Sequence, residues 1–417
     1  MIKKYLLFSL VLLNFCFSLD ILTWQQCQQL ARENNTDLKI AKAKLVDESN
    51  SLKIAELNGS LTVGGSASVK RAGGESAVKN TAGAGVSAQK LIYDGNKSNN
   101  LVLAAEERLK SAEYNYQITE ANVRLTIRQY FCEALRSQEL LELSKTIVER
   151  RNQQYELVRL RYNGGLEHRG SFLKAKANLI EAQNNLSQAK RNLQINYDKL
   201  LYSLGLEMGT AILVSENINK IVLAKKPNFN EIIDNSLLLK DLISQKLQDE
   251  YGVYIAESNY LPTAYINGSL NQNYSFNQDG VYASSSGWSV GGNLSFDLYD
   301  GNKKDYELDK AKSQLYQKKI NLENKTHYVY LTLQEMWNNL VDSYDNIAVA
   351  NIFLEASEER SKIASAQYSS GLISFTDWIT IEDELIKTRK SKLNSNLDTL
   401  IQEAKWINSK GEGFDEK

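Results

Sequence analysis

The sequence predicts a mixed, mainly α fold in which one plan occurs twice: an opening helix, a β-hairpin and a long helical hairpin. Three observations carry this. The pentapeptide Tyr93-Asp94-Gly95-Asn96-Lys97 returns as Tyr299-Asp300-Gly301-Asn302-Lys303, an offset of 206 residues. At the same offset Arg161-Tyr162-Asn163-Gly164-Gly165-Leu166 aligns with Gln367-Tyr368-Ser369-Ser370-Gly371-Leu372, and upstream Ile54-Ala55-Glu56 aligns with Ile255-Ala256-Glu257 at 201. Only two prolines, Pro227 and Pro262, occur in 417 residues. That is far below the average of about 5% and leaves long runs free to be helical.

The N-terminus reads as a secretory signal peptide over 1–18. Lys3 and Lys4 precede an apolar run from Tyr5 to Phe17, and cleavage is expected after Ser18. The run is too short to span a bilayer as a helix. Leu13 lies three residues before Cys16, as in a lipidation signal, but Phe15 is too bulky for one, so lipidation of Cys16 is the lesser alternative.

The first repeat occupies 19–204. Residues 22–57 read as one helix, with Ala31, Leu38, Ala41 and Leu45 at helical spacing and Thr23 as a cap. Strands are expected over about 59–93, joined by a polar tip near Arg71–Thr81, with Ala82, Ala84, Val86 and Ala88 alternating. A Gly/Ser-rich loop fits that stretch too, and the second copy decides for strands. There Ala264, Ile266, Gly268 and Leu270 alternate with polar residues. Trp288, Val290, Gly292, Leu294, Phe296 and Leu298 follow without a miss, giving strands over about 261–299. Strands of roughly ten residues cross a bilayer when tilted. Tyr260, Tyr265 and Trp288, with Tyr274, Tyr282 and Tyr299, are read as an interfacial aromatic belt at the strand ends.

Each strand pair closes on Tyr-Asp-Gly. Asp accepts from free amides at a helix start and Gly permits the bend, so Tyr93, Asp94, Gly95 and Tyr299, Asp300, Gly301 are strand-to-helix turns. A helical hairpin then fills 96–204. Ala134, Leu141, Val148, Tyr155 and Tyr162 recur every seven residues, and some 65 residues span roughly 95 Å. The first arm stops at Asn163-Gly164-Gly165. The returning arm has a face of small residues: Ala175, Ala177, Ala182 and Ala189. Residues 205–229 link the repeats, with Ile212, Val214 and Ile221, Val222, Leu223 suggesting a short strand or loop. The second repeat, 230–408, has its opening helix over 230–259 and its helical hairpin over 302–408. A polar tail, 409–417, is expected to fray.

The net charge of −1 favours no nucleic-acid partner. Cys27 and Cys132 read as buried helix cysteines, with a disulfide between them left open. His168 and His327 read as surface or packing residues. There is no Cys/His metal spacing and no phosphate-cradling loop, so neither a cofactor nor catalysis is expected. Four strands cannot close a barrel, for which about eight is the minimum. An open edge in lipid leaves backbone groups unsatisfied, so membrane strands require oligomerisation.

A signal peptide, the duplicated plan, the strand-ending Tyr-Asp-Gly and the Arg-Tyr-x-x-Gly-Leu tip together resemble the TolC-type outer-membrane efflux and export family. The resemblance covers nearly the whole mature chain. It implies a homotrimer in the outer membrane of a Gram-negative bacterium, with a twelve-stranded barrel continuous with a periplasmic tunnel of coiled helices. It further implies passive export, in a tripartite efflux pump or a type I secretion system, driven by an inner-membrane pump of the RND, ABC or a similar class through a periplasmic adaptor. The adaptor-docking tips would be Arg161, Tyr162, Gly165 and Leu166 with Gln367, Gly371 and Leu372. The periplasmic gate would involve Tyr368 and Asp377, with Thr380 where the family has a second acid and Glu382 as the next acid. Two family gate positions differ, since Ile373 replaces an arginine and Ser171 an acid. Closure is then expected to rest on packing by Tyr368, Ile373, Phe375 and Trp378. Three Asp377 carboxylates at a narrow pore would favour cations, while position alone also fits a solvated helix-cap carboxylate. Arg169 and Lys174 fit adaptor contacts and a solvated turn equally. The competing reading is a secreted or periplasmic coiled-coil scaffold without a pore, against which the duplicated period-two strands argue.

Overall fold

The computed structural model describes residues 20–74, 77–216, 223, 225–276 and 282–414. The elements run β1 (Asp20–Leu22), α1 (Trp24–Asn34), α2 (Thr36–Glu56), β2 (Thr62–Gly74), β3 (Ala77–Tyr93), α3 (Lys97–Asn163) and α4 (Arg169–Leu204). They continue with β4 (Ile212–Val214), α5 (Phe229–Asn235), α6 (Leu237–Ser258), β5 (Thr263–Phe276), β6 (Tyr282–Ser295), α7 (Lys303–Ser369) and α8 (Phe375–Ser409). The mainly helical, duplicated plan is therefore present, and α3 and α7 are each 67 residues long. The signal peptide and the possible strand at Ile221–Val222 fall outside the described residues. The chain divides into two units, one of Met1–Thr36, Ala121–Lys226 and Gln334–Lys417, the other of Asp37–Glu120 and Pro227–Leu333.

The predicted helix 22–57 is two helices. Thr23 caps α1 in a capping box with Gln26. At Asn35 the backbone turns extended, with φ −58° and ψ 130°, and the side chain donates to the Ser203 carbonyl at 2.7 Å. That long-range bond, which no local pattern announces, sets the break. The second repeat breaks at Ser236, again at an offset of 201. In the first unit β1 and β4 pair in parallel, so Ile212 and Val214 lie in a strand. Cys27 and Cys132 are both buried free thiols, and burial pushes each up to about 12. Residues 410–414 do not hang free, because Phe414 is buried beneath the Arg32 guanidinium, 5.5 Å from its ring centre, while 415–417 fall outside the described residues.

In the second unit the hairpins join into one antiparallel sheet of order β2-β3-β5-β6. Its register sorts the side chains. Cross-strand rows Val63–Ala88–Gly268–Val290 and Gly65–Val86–Leu270–Trp288 lie on one face. Rows Gly64–Ser87–Ser269–Ser289 and Ser66–Gly85–Asn271–Gly287 lie on the other. One face is thus apolar and the other hydroxyl- and amide-lined. No helix among the described residues is long and apolar enough to cross a membrane.

Two strand boundaries differ from expectation. The supposed polar tip at 71–81 is mostly ladder, with Arg71 opposite Asn80 and Gly74 opposite Ala77. β6 stops at Ser295 rather than near 299, because its partner begins at Thr263. The preceding Pro262 has no N–H to give, and the Leu261 N–H is taken by the Ser258 carbonyl at 3.0 Å.

Candidate functional site

The repeated pentapeptide builds the two strand-to-helix turns. Asp94 Oδ2 accepts from the Ser98 amide at 2.8 Å, and Asp300 accepts from the amides of Lys303 and Lys304 at 3.2 and 3.0 Å. Gly95 and Asn96 are both left-handed, at φ 66° and 70°, as are Gly301 and Asn302 at 73° and 67°. Gly and Asn are the residues that tolerate this region. At Gly95 a Cβ would also meet the Leu261 side chain at 2.8 Å, whereas Gly301 has open space. Tyr93 ends β3, while Tyr299 lies beyond the sheet and is exposed.

The proposed belt residues are not together. Trp288 sits mid-strand on the apolar face beside Leu270, not at an end. Tyr265 pairs with Asn293 and shares the polar face with Asn267. Tyr260 lies outside the strands, its phenol donating to Asp305 at 2.5 Å.

The helical hairpins end in twin tips. Gly165 (φ 72°) and Gly371 (φ 74°) close Schellman turns, in which Leu166 N–H bonds to the Arg161 carbonyl and Leu372 N–H to that of Gln367, both at 2.8 Å. Leu166 and Leu372 are left 70% and 74% exposed. The tyrosine three residues before each glycine stacks on an aromatic of the return helix. Tyr162 faces Phe172 at 5.1 Å, and Tyr368 faces Trp378 at 4.3 Å.

The tips of the two repeats are tied by Tyr368, which is buried. Its hydroxyl donates to Glu167 Oε2 at 2.9 Å, and Arg161 lies 5.0 Å over its ring while donating to the Tyr368 and Ser369 carbonyls at 3.2 and 3.3 Å. Arg161 thereby places a cation on the C-terminal carbonyls of α7, the favourable pole. Val158, Ala175, Phe375, Trp378 and Ile379 enclose the ring, with Ile373 packed at the margin. Burial raises the Tyr368 phenol, and the Glu167 carboxylate raises it further. Burial pulls Glu167 upward, but hydrogen bonds from Tyr368, Ser171 and the His168 amide outweigh it and hold its carboxyl below the usual range. Sequence reasoning missed Glu167. It looked for the acid at Ser171, whereas the acid sits two residues after Gly165, the one acidic side chain between that glycine and α4.

The gate acids separate. Asp377 is exposed in the first turn of α8, where its carboxylate accepts from Ser374 Oγ at 2.7 Å and its amide donates to Ser374 Oγ at 3.1 Å. Thr380 is exposed and its hydroxyl donates to the Thr376 carbonyl at 2.9 Å. Glu382 is not a pore acid. It is fully buried, gripped by Arg150 at 2.5 and 2.8 Å, Gln154 at 2.7 Å and Ser361 at 2.5 Å. Five residues of helix turn it about 140° from Asp377, so the two cannot share a face. Beside it Arg151 pairs with Asp383. This network, also missed from sequence, joins α3, α7 and α8. Lys174, on α4, and Arg169 at its first residue are exposed.

Residues 28–206 match the outer membrane efflux protein family. Nodulation protein T of Rhizobium leguminosarum bv. trifolii is 21% identical over 370 residues, covering 85% of this chain and 76% of that protein. The fold is shared with CusC at a TM-score of 0.82 and 15% identity, over 94% of this chain and 92% of that one. It is also shared with the CmeC outer membrane channel of Campylobacter jejuni at 0.81 and 17% identity, over 94% and 87%.

Proposed function

We propose that this chain, which belongs to the outer membrane efflux protein family, forms a homotrimeric duct that passes cargo passively from periplasm to exterior. It is an outer-membrane transport protein with a large helical periplasmic portion, and not an enzyme. The finer reading rests on one observation. The sheet order β2-β3-β5-β6 leaves two free edges, 13 and 14 residues long, and the strand directions alternate so that β6 of one copy runs antiparallel to β2 of the next. In lipid every unsatisfied edge group costs several kcal/mol, so the edges must meet. Two copies would supply eight strands, whose interior side chains fill, and three supply twelve, which leaves a passage. The register puts Ser and Asn side chains, with glycines between them, on the face that would line it and the apolar rows toward lipid.

The paired tips, each presenting an exposed leucine on a glycine turn, are the surface for a periplasmic adaptor, which couples the duct to an inner-membrane pump. The same architecture serves a tripartite efflux pump and a type I secretion system. A poreless scaffold is disfavoured by the exposed apolar rows, where Val69 is 88% and Leu294 70% accessible in a single copy.

Cross-linking tests the assembly. Ser66→Cys on β2 and Ser285→Cys on β6 in one chain, joined by a short bismaleimide in intact membranes, should give a ladder that stops at three. Buried Cys27 and Cys132 stay silent in the folded protein. A ladder that runs past three, or only monomer, overturns the closed trimer.

A further inference from the structure

We propose that the tip of the first helical hairpin carries a proton-sensitive catch, with His168 as the sensor and Glu167 as the group it releases. The chemistry concerns the tip alone, and only its consequence for opening a duct rests on the reading above.

The two tips correspond residue for residue at the 206 offset, so that His168 stands where Ser374 stands and Ser171 where Asp377 stands. Both positions are helix N-caps. At the second tip the Ser374 hydroxyl accepts the Asp377 amide at 3.1 Å, and a hydroxyl does this at any ordinary pH. At the first tip the acceptor is a ring nitrogen, with His168 Nδ1 taking the Ser171 amide at 3.2 Å. A ring nitrogen accepts only while it carries no proton. Histidine is the side chain that exchanges a proton in the physiological range, and this one is 77% exposed, open to solvent protons. Protonation removes the cap and places a cation at the N-terminal pole of α4, where it is unfavourable.

The same ring borders the bond that ties the tips. His168 Nε2 is 3.1 Å from Ser171 Oγ and 3.8 Å from Glu167 Oε1, and Glu167 Oε2 holds the Tyr368 hydroxyl at 2.9 Å. An imidazolium there competes with the phenol for the carboxylate. Around this bond the charged and titratable groups are Glu167 and His168 from the tip itself, Arg161 from α3 and Tyr368 from α7, while α8 contributes the Phe375 and Trp378 rings. When His168 takes up a proton, the first turn of α4 loosens and Glu167 turns from Tyr368 toward His168. The second tip, capped by serine, has no such response.

Hydrogen exchange on the full-length, detergent-solubilised protein tests this, comparing segments 166–172 and 372–378 at about pH 5.5 and 7.5 after correction for intrinsic rates. Protection in the first segment should fall about fivefold at the lower pH, the worth of one cap, and that of the second should not change. His168→Ser copies the cap of the second tip, so it should keep the protection seen at high pH and abolish the fall. A fall that persists in H168S, or wild-type protection that does not change with pH, overturns the proposal.

Discussion

Tyr368→Phe removes one hydroxyl and leaves the packing in place. The ring is 1% exposed, stacked on Trp378 and edge-on to Phe375, and phenylalanine keeps all of this. What is lost is the bond to Glu167. A hydrogen bond to a charged group is worth about 1.5–3 kcal/mol. Glu167 retains Ser171 and the His168 amide as donors, so the low end of about 1.5 kcal/mol applies, roughly tenfold per tip. The assay is single-channel recording of the reconstituted protein. Open probability should rise at least tenfold, with the conductance of the open state unchanged. Wild-type open probability in a variant of normal assembly would refute the role of this bond. The pH dependence has a definite sign. Glu167 is depressed in the folded chain, so its contribution is complete above its unfolded value of 4.5 and is lost as pH falls through the folded value.

Glu382→Gln turns an amide N–H toward Arg150 and breaks a pair whose acid is fully buried. The usual loss of about 3–5 kcal/mol is discounted to about 2–3 because Arg150 is 30% exposed. A lower melting temperature by circular dichroism should report it, and an unchanged melt would show the network to be dispensable. Gly165→Leu with Gly371→Leu forces side chains into left-handed backbone at about 1–2 kcal/mol each, with open space at Gly165. Trimers should persist while cells become drug-sensitive, and normal resistance would remove the tips from adaptor docking. Asp377→Ala should weaken cation preference in reversal-potential measurements, and unchanged selectivity would leave Asp377 as a helix cap alone.

What was legible in the sequence was local. The pentapeptide announced itself because an Asp cap and a left-handed Gly-Asn pair admit few substitutes, and the alternation from Trp288 to Leu294 read directly as a strand. What was hidden depended on distant partners. The break at Asn35 answers to Ser203, 168 residues away. The end of β6 is set by Pro262, just before the neighbouring strand begins. Trp288 read as interfacial because a strand taken to 299 misplaces its midpoint. Glu382 read as a gate acid because acidity is visible in a sequence and the facing Arg150 and Gln154 are not. Glu167 escaped because the acid that serves Tyr368 has moved along the tip to a position the resemblance does not mark.

The central claim is that the free edges of the four-stranded sheet are closed by two further copies. The mass of the detergent-extracted protein, by light scattering corrected for bound detergent, tests it most directly. The account predicts a mass near three chains. A monomer or dimer that survives mild extraction and still resists unfolding would leave the β2 and β6 edges unpaired, and would contradict a duct in favour of a poreless scaffold.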